Sequence, residues 1–340
     1  MQIHQNISLK PYNTFGIDVR AKHLITIESI EDLDELAELP NLFNKSKPTL
    51  VLGGGSNILF TADYDGLIIK NELKGIELVS EDDDHYYVRG AAGENWHQFV
   101  LHCIKNNYAG VENLSLIPGN TGASPMQNIG AYGVETKDVF HQLEAFHLQD
   151  EELVVFDNQA CEFGYRESIF KKKYKGQFII TSVTFKLNKK PVYNTSYGAI
   201  QQELEAMGNT GLNIGAISQA VINIRKSKLP DPAIVGNAGS FFKNPTIPNQ
   251  QFSDLKNQFP NIVGFPANNE LTKVAAGWLI EQCGWKGYRK GDAGCHEKQA
   301  LVLVNYGNAD GVEILQLSTE IMQSVEEKFG IILEREVNII

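Results

Sequence analysis

The chain has 340 residues, 42% of them hydrophobic and 21% charged, and a formal net charge of −11. That length allows two or three domains with a sizeable core, and the acidic balance excludes nucleic acid as the default partner, so a phosphorylated ligand must be met by a local basic patch or by backbone dipoles. No apolar run approaches membrane-spanning length and the N-terminus has no basic-then-apolar leader pattern, so a cytoplasmic location away from membranes is expected. Cys103, Cys161, Cys283 and Cys295 are scattered and read as reduced thiols; Cys295 beside His296 does not supply the four ligands of a zinc site, and no metal is expected.

In chain order, residues 24–27 read as a strand and 30–39 as a helix, entered through Ser29 with Asp32 three positions on as an acidic version of the capping box. An apolar run at 49–52 breaks into Gly53-Gly54-Gly55-Ser56-Asn57 and resumes at 58–60. A glycine loop after a strand suits phosphate approach. It lacks the Lys-Ser/Thr of a P-loop, however, and has Ile58 where the dinucleotide fingerprint needs its last glycine. Short strands are expected at 66–70, 76–79, 86–92, 139–148, 153–156 and 178–187, interrupted by a helix at 96–106 with Phe99, Val100, Cys103 and Ile104 on one face. Strands dominating around one helix indicate an α+β domain rather than repeating βαβ units.

The stretch 117–133, IPGNTGASPMQNIGAYG, holds four glycines and two prolines and no charge. It suits an anion held by main-chain N–H groups, or a long surface loop; its length favours function, because structureless connections beyond about 12–15 residues are uncommon in compact domains. Arg166, among the aromatics of GYRESIF, reads as an anion-binding residue or an ordinary surface arginine. A connector at 191–196 leads past Tyr197 into a helix at 199–207. A second helix at 214–227 runs into Arg225-Lys226-Ser227-Lys228, the densest positive patch in the chain, which can also simply complement the helix dipole. In GNAGSFFKNP, Ser240 is a turn serine or a hydroxyl fixed in an apolar setting; glycine is absent two positions later, so it is not a nucleophile elbow. The rest reads as helix 271–283, turn 284–296, strand 300–305, helix 311–329 and a terminal strand 331–340 with Glu334, Arg335 and Glu336 at its edge.

Taken together, NTFGI (13–17), GGGSN (53–57), the 117–133 stretch, GYRESIF (164–170), SKLPDP (227–232), GNAGSFFKNP (236–245), AAGWLIE (275–281) and a terminal Glu-x-Glu-Val resemble, in order and over nearly the whole chain, the UDP-N-acetylenolpyruvoylglucosamine reductase family. Any one segment is weak, and the ordered set is specific. The resemblance implies an α+β fold of the FAD-binding PCMH/vanillyl-alcohol-oxidase type with a C-terminal αβ substrate domain. It implies an N-terminal subdomain at 1–65 joined by 331–340, a second FAD-binding subdomain at 66–190 (the PCMH-type region covering about 19–190), a connector with a tyrosine loop at 191–213, and a substrate domain at 214–330.

The implied activity is NADPH-dependent, FAD-mediated reduction of an enolpyruvyl UDP-sugar in cell-wall peptidoglycan precursor synthesis, with FAD held non-covalently and no obligate protein partner. Gly53, Gly54, Gly55, Ser56 and Asn57, with Pro118, Gly119, Gly122, Ala123, Gln127, Asn128, Gly130, Ala131, Tyr132 and Gly133, would contact the flavin cofactor. Arg166, Ser240 and Glu336 carry over as catalytic, Arg166 and Glu336 stabilising an enolate-like charge and Ser240 donating a proton. Lys228, Asn244 and Gln299 match positions contacting the UDP-sugar, and Tyr197 one that closes over its diphosphate. Two alternatives stand beside this reading: a flavin-dependent alcohol or sugar oxidase of the same fold, and a non-catalytic UDP-sugar or flavin-binding protein.

Overall fold

The computed structural model describes residues 1–38, 48–208 and 211–340, which form two compact units. The first comprises Met1–Ile7, Ala21–Gly55 and Tyr64–Ser227; the second comprises Ser8–Arg20, Ser56–Asp63 and Lys228–Ile340. The strand Tyr64–Asn71 runs through position 65, and the helix Ile214–Lys228 ends where the second unit resumes.

The first unit contains two sheets. One has the order Ile3–Ser8, Arg20–Ile27, Tyr64–Asn71, Thr49–Leu52, with the last three strands parallel. The other is antiparallel in the order Glu152–Asp157, Phe140–His147, Phe178–Asn188, His85–Ala91, Ile76–Glu81. One apolar cluster unites Leu33 and Leu36 of the helix Glu31–Ala37 with Ile25, Ile27, Leu67 and Ile69 of the parallel sheet and Phe146 and Ile179 of the antiparallel one. Both sheets therefore share a core, which is why they behave as one body. The helix Trp96–Lys105 is entered through Asn95, whose side chain accepts from Gln98 N–H, and it buries Trp96, Phe99, Val100 and Cys103 against Phe185 and its neighbours. The Phe99 and Phe185 rings lie 4.8 Å apart. The helix expected from residue 30 is present, but its first capping position is Ile30; Asp32 reaches back to accept from the N–H groups of Glu28 and Ser29. Its expected end at Leu39 lies outside the described residues.

The second unit is built on the antiparallel sheet Gly236–Ser240, Val302–Asn305, Ala293–Cys295, Arg289–Lys290 and a three-stranded sheet Thr246–Pro248, Leu271–Val274, Gly264–Pro266. The helix Gly311–Phe329 buries Ile314, Leu317, Ile321, Val325 and Phe329, the spacing of a helical stripe. Asp310 and Glu313 form a reciprocal capping box at its start, and a Cβ on Gly311 would collide with Phe60 O.

Three expectations are corrected here. Residues 271–283 are not one helix: Leu271–Val274 is the central strand of the small sheet, with Thr272 and Val274 buried in period-two alternation, and the helix begins only at Ala276. The expected turn 284–296 contains the hairpin Arg289–Lys290/Ala293–Cys295. The terminal stretch 331–340 is extended only in part, with Asn338–Ile339 pairing in parallel with Ile58–Leu59 and Arg335 bridging Phe242.

Candidate active site

In the first unit, the two glycine segments lie against one another. A Cβ on Gly54 would sit 2.7 Å from Asn120 Oδ1 and 2.9 Å from Gly119 Cα, so only glycine permits the approach. The 117–133 stretch is not structureless. Residues 119–122 are laced to 92–96 by Trp96 N–H to Gly119 O (3.0 Å), Thr121 N–H to Glu94 O (2.8 Å) and Gly122 N–H to Ala92 O (3.0 Å). Thr121–Ala123 forms a 3-10 turn, and Gly130–Ala131 pairs with Val134–Glu135 as a hairpin. Its two turn residues, Tyr132 and Gly133, both have positive φ (51° and 81°), the signature of a type I′ turn.

Several expected cofactor residues are structural struts of this loop. Asn128 is fully buried and donates to Glu135 Oε2 and Gly164 O while accepting from Lys137 N–H. Pro118, Ala123 and Gly133 are exposed, and Gly53, Gly54, Gly119, Gln127, Gly130, Ala131 and Tyr132 are half-buried; Gly55 and Gly122 are buried. The segment itself carries no charge and leaves much of its main chain half-buried or exposed, which fits a diphosphate held by backbone N–H groups.

Arg166 adopts φ 55°, a left-handed conformation uncommon outside glycine, in a tight turn where Gly164 and Glu167 exchange backbone hydrogen bonds. Its guanidinium donates to Gly130 O (2.6 Å) and Asn128 O (3.4 Å). A Cβ on Gly130 would lie 3.0 Å from Arg166 Nη1, so this glycine makes room for the arginine. Arg166 is thus bound directly to the glycine loop. Tyr197 precedes the helix Gly198–Ala206 and is 49% exposed, its ring edge-on to Tyr132 at 5.2 Å.

A charged group that the sequence shows only as part of a basic run also belongs to this region. Arg225 Nε donates to Leu116 O at 3.2 Å, and its charge interacts with the Tyr132 phenol. Burial lowers the Arg225 pKa, with Tyr132 opposing, and raises that of Tyr132. At the same residue, Leu116 N–H donates to His97 Nδ1 at 3.0 Å. Burial, then Arg225 and Lys226, hold the His97 pKa below its ordinary value, which keeps that nitrogen an acceptor. The helix-end position of 225–228 was the available signal; that half-buried Arg225 bonds the loop was not.

In the second unit, Ser240 is exposed at the end of an irregular strand. Between Asn237 and Ser240 the pairing with Val302–Asn305 slips, Gly239 turns at φ 71°, and buried Asn237 holds the bulge by accepting from Gly239 N–H (2.9 Å) and donating to Val235 O (2.9 Å). The NTFGI segment supports it: Thr14 Oγ1 donates to Asn237 O at 2.6 Å, and a Cβ on Gly236 would collide with Phe15 O. Glu336 N–H donates to Phe241 O (2.8 Å), while Lys243 N–H donates to Glu334 O (2.9 Å), so the terminal segment runs antiparallel beside residues 241–243. Ser240 and Glu336 are thereby brought onto neighbouring stretches of backbone. Asn57 Nδ2 donates to Glu336 O at 3.3 Å, and Arg335 anchors the segment to the long helix through Ser318 Oγ (2.8 Å) and Thr319 Oγ1 (2.7 Å).

Asn244 Oδ1 accepts from Ala276 N–H at 3.0 Å, and a Cβ on Gly277 would lie 3.1 Å from Gln299 Oε1. Both expected sugar-contacting amides therefore converge on the start of one helix. Lys228 and half-buried Ser56 lie in the same unit, Lys228 exposed at its helix end. The structure thus gathers Gly53–Gly55, the 117–133 loop, Arg166 and Tyr197 in the first unit, and Asn57, Ser240, Asn244, Gln299 and Glu336 in the second. Cys295 is buried, its thiol donating to Ala300 O and pushed up to about 12 by burial.

The chain is similar to known proteins over its whole length. Residues 21–157 match the model of an FAD binding domain, and residues 231–340 that of the UDP-N-acetylenolpyruvoylglucosamine reductase C-terminal domain. The UDP-N-acetylenolpyruvoylglucosamine reductase of Flavobacterium johnsoniae is 52% identical, with 100% of both chains covered. That of Amoebophilus asiaticus is 50% identical, again over 100% of each. The crystal structure of the Thermus caldophilus UDP-N-acetylenolpyruvylglucosamine reductase superposes with a TM-score of 0.69 at 25% identity, covering 100% of this chain and 99% of that one. The α+β architecture is thus that of an FAD-binding domain followed by a dedicated C-terminal domain, and the chain belongs to the UDP-N-acetylenolpyruvoylglucosamine reductase family.

Proposed function

We propose that the protein reduces the enolpyruvyl ether of a UDP-N-acetylglucosamine to the corresponding UDP-N-acetylmuramate, a step of peptidoglycan precursor synthesis, using NADPH as hydride donor and non-covalent FAD as carrier. The observation that supports the reading within the structure is the backbone pairing of the terminal segment with residues 241–243, which brings the backbone that carries Glu336 alongside the one that carries Ser240. The uncharged main chain at Gly53–Gly54 and 118–133 fits an FAD diphosphate, and Asn128 and Arg166 hold that loop in shape from beneath. Bound there, FAD would supply the hydride-transfer chemistry between NADPH and the vinyl carbon of the substrate.

The remaining work falls to side chains. Arg166 and Glu336 stabilise the charge that develops on the substrate carboxylate and its neighbouring carbon, Arg166 as a cation and Glu336 as a protonated carboxyl donor. Ser240 gives the proton that completes reduction. Lys228, Asn244 and Gln299 bind the UDP-sugar, and Tyr197 covers its diphosphate. No helix among the described residues is long and apolar enough to cross a membrane. We place the reaction in the cytoplasm, where its nucleotide substrates are available.

The test is turnover. The purified yellow protein is expected to oxidise NADPH rapidly only when the enolpyruvyl UDP-sugar is present. Oxygen-dependent turnover on an alcohol or sugar, without that substrate, overturns the reading in favour of an oxidase.

A further inference from the structure

One buried side chain that no step of the reaction uses ties the tyrosine connector to the glycine loop. Asn113 is 1% exposed, and its Nδ2 donates to Tyr132 O and to Asn194 O, both at 2.9 Å. The carbonyls come from different segments: Tyr132 from the turn of the loop hairpin, and Asn194 from the connector three residues before Tyr197. Asn194 completes the clasp, its own Nδ2 donating to Gly133 O at 2.9 Å. It also accepts from Ser196 Oγ at 2.8 Å, which shapes the chain on its way to the tyrosine. A Cβ on Gly133 would lie 2.9 Å from Asn194 Nδ2, so the turn glycine is part of the fit. Beyond the clasp, the Tyr132 ring meets Tyr197 edge-on and packs on the cluster of Ile200, Ile217, Val221 and Ile224 from the two helices that follow the connector.

We propose that Asn113 is a positioning residue for the sugar-dependent half of the reaction, holding the Tyr197 connector on the Tyr132–Gly133 turn so that the tyrosine is already in place when a nucleotide diphosphate enters. The inference rests on the reading of Tyr197 given above. Its physical basis is the bond inventory: a carboxamide NH2 has two hydrogens, and here both are directed at carbonyls that otherwise have no reason to be neighbours. An aspartate has the same shape and only acceptors, so it faces the two carbonyls with repulsion in place of attraction. A connector released from the turn must be ordered by the substrate itself, and that cost appears in substrate affinity.

The experiment uses FAD-loaded Asn113→Asp and Asn194→Ala beside the unaltered protein. Three quantities are read: KM for the enolpyruvyl UDP-sugar, the stopped-flow rate of flavin reduction by NADPH alone, and hydrogen exchange of the backbone amides at 193–198. For Asn113→Asp we expect KM to rise tenfold or more, flavin reduction to stay within twofold, and exchange to quicken in the connector while the sheets keep their protection. Asn194→Ala leaves the Asn113 acceptors intact and loses the Gly133 and Ser196 contacts of the Asn194 side chain, so a smaller, severalfold rise is expected. It also carries the test alone if Asn113→Asp does not fold.

Unchanged KM in both variants overturns the inference. So does loss of flavin with both half-reactions equally impaired, because Asn113 would then be a buttress of the cofactor loop. Absence of sugar-dependent NADPH oxidation in the unaltered protein overturns the proposed function instead, and the exchange measurement still decides whether the clasp holds the connector.

Discussion

The two units solve the problem of holding reactive groups in opposite ways. In the first, the proposed working surface is main chain: Gly54 meets Gly119 and Asn120 where no Cβ on Gly54 fits, and the side chains nearby, Asn113, Asn128 and Arg166, are spent on backbone carbonyls. In the second, the groups proposed to react, Ser240 and Glu336, are side chains on a strand bulge and a paired tail, and the backbone around them is ordinary antiparallel pairing except at Gly239. The difference teaches where mutations should act. A change at the glycine segments of the first unit should disturb how the cofactor is held, and a change at Ser240 or Glu336 in the second should disturb the chemistry.

The sharpest way to break that division is Ser240→Ala. Because Ser240 is exposed on its bulge, truncation should leave folding within about 0.5 kcal/mol, the usual range for surface substitutions. Reduction of the flavin by NADPH should survive, while reoxidation by the enolpyruvyl sugar slows by about 10²–10⁴, the range typical for loss of a general acid. Stopped-flow traces with both half-reactions equally impaired would make Ser240 structural and erase the contrast.

Gly54→Ala is the matching lesion in the first unit. The new Cβ must displace Asn120 Oδ1 at 2.7 Å and the Gly119 backbone at 2.9 Å, and overpacking of this kind costs about 1–3 kcal/mol. Weaker FAD retention is expected, by about tenfold or more at 1.4 kcal/mol per decade, seen as loss of flavin on gel filtration and a raised Kd in titration of the apoprotein. Gly198→Ala, with nothing within 4 Å of its would-be Cβ, should keep its flavin. If Gly54→Ala binds FAD as tightly as Gly198→Ala does, the close approach of the two glycine segments is not part of the cofactor seat.

The same contrast explains what could be read from the sequence. The five strands of the antiparallel sheet were legible to within a few residues because their apolar alternation is local, and the helix Gly311–Phe329 because Asp310, Glu313 and Gly330 mark its ends. Residues 117–133 announced themselves through glycine, proline and the absence of charge, although the hairpin inside them did not. The strand Gly236–Ser240 was invisible, since Gly-Asn-Ala-Gly-Ser contains no strand-forming side chain; its pairing with Val302–Asn305 and the support of Asn237 impose it. Nor did any periodicity bring the terminal segment onto residues 241–243, because that adjacency depends on long-range backbone bonds, Glu336 N–H to Phe241 O and Lys243 N–H to Glu334 O. Only resemblance between ordered motifs reached it. Asn113 gave no signal, since a buried asparagine looks like any other until its partners are known.

The smallest expected effect separates the units by the sign of a proton linkage. Beneath the glycine loop, Glu112 is 2% exposed and accepts from Gly110 N–H at 2.7 Å; burial pushes its carboxyl above the ordinary value, and the backbone hydrogen bonds only partly offset this. The folded state therefore binds the proton more tightly than the unfolded chain does. Its stabilisation is complete below the unfolded pKa and is lost as pH rises through the folded one. In the second unit Asp292 runs the other way: the Asn308 N–H, and then Arg289, hold it below its ordinary value, so its contribution is present above the unfolded pKa and is lost as pH falls through the folded one. Glu112→Gln keeps an acceptor for Gly110 and cannot ionise. Its urea midpoint should match that of the unaltered protein near pH 4 and exceed it near pH 8, whereas Asp292→Asn should match at low pH and fall short at high pH. Parallel pH profiles for Glu112→Gln and the unaltered protein would mean that the carboxyl under the loop is already solvated, and that the uncharged character of this region stops at its surface.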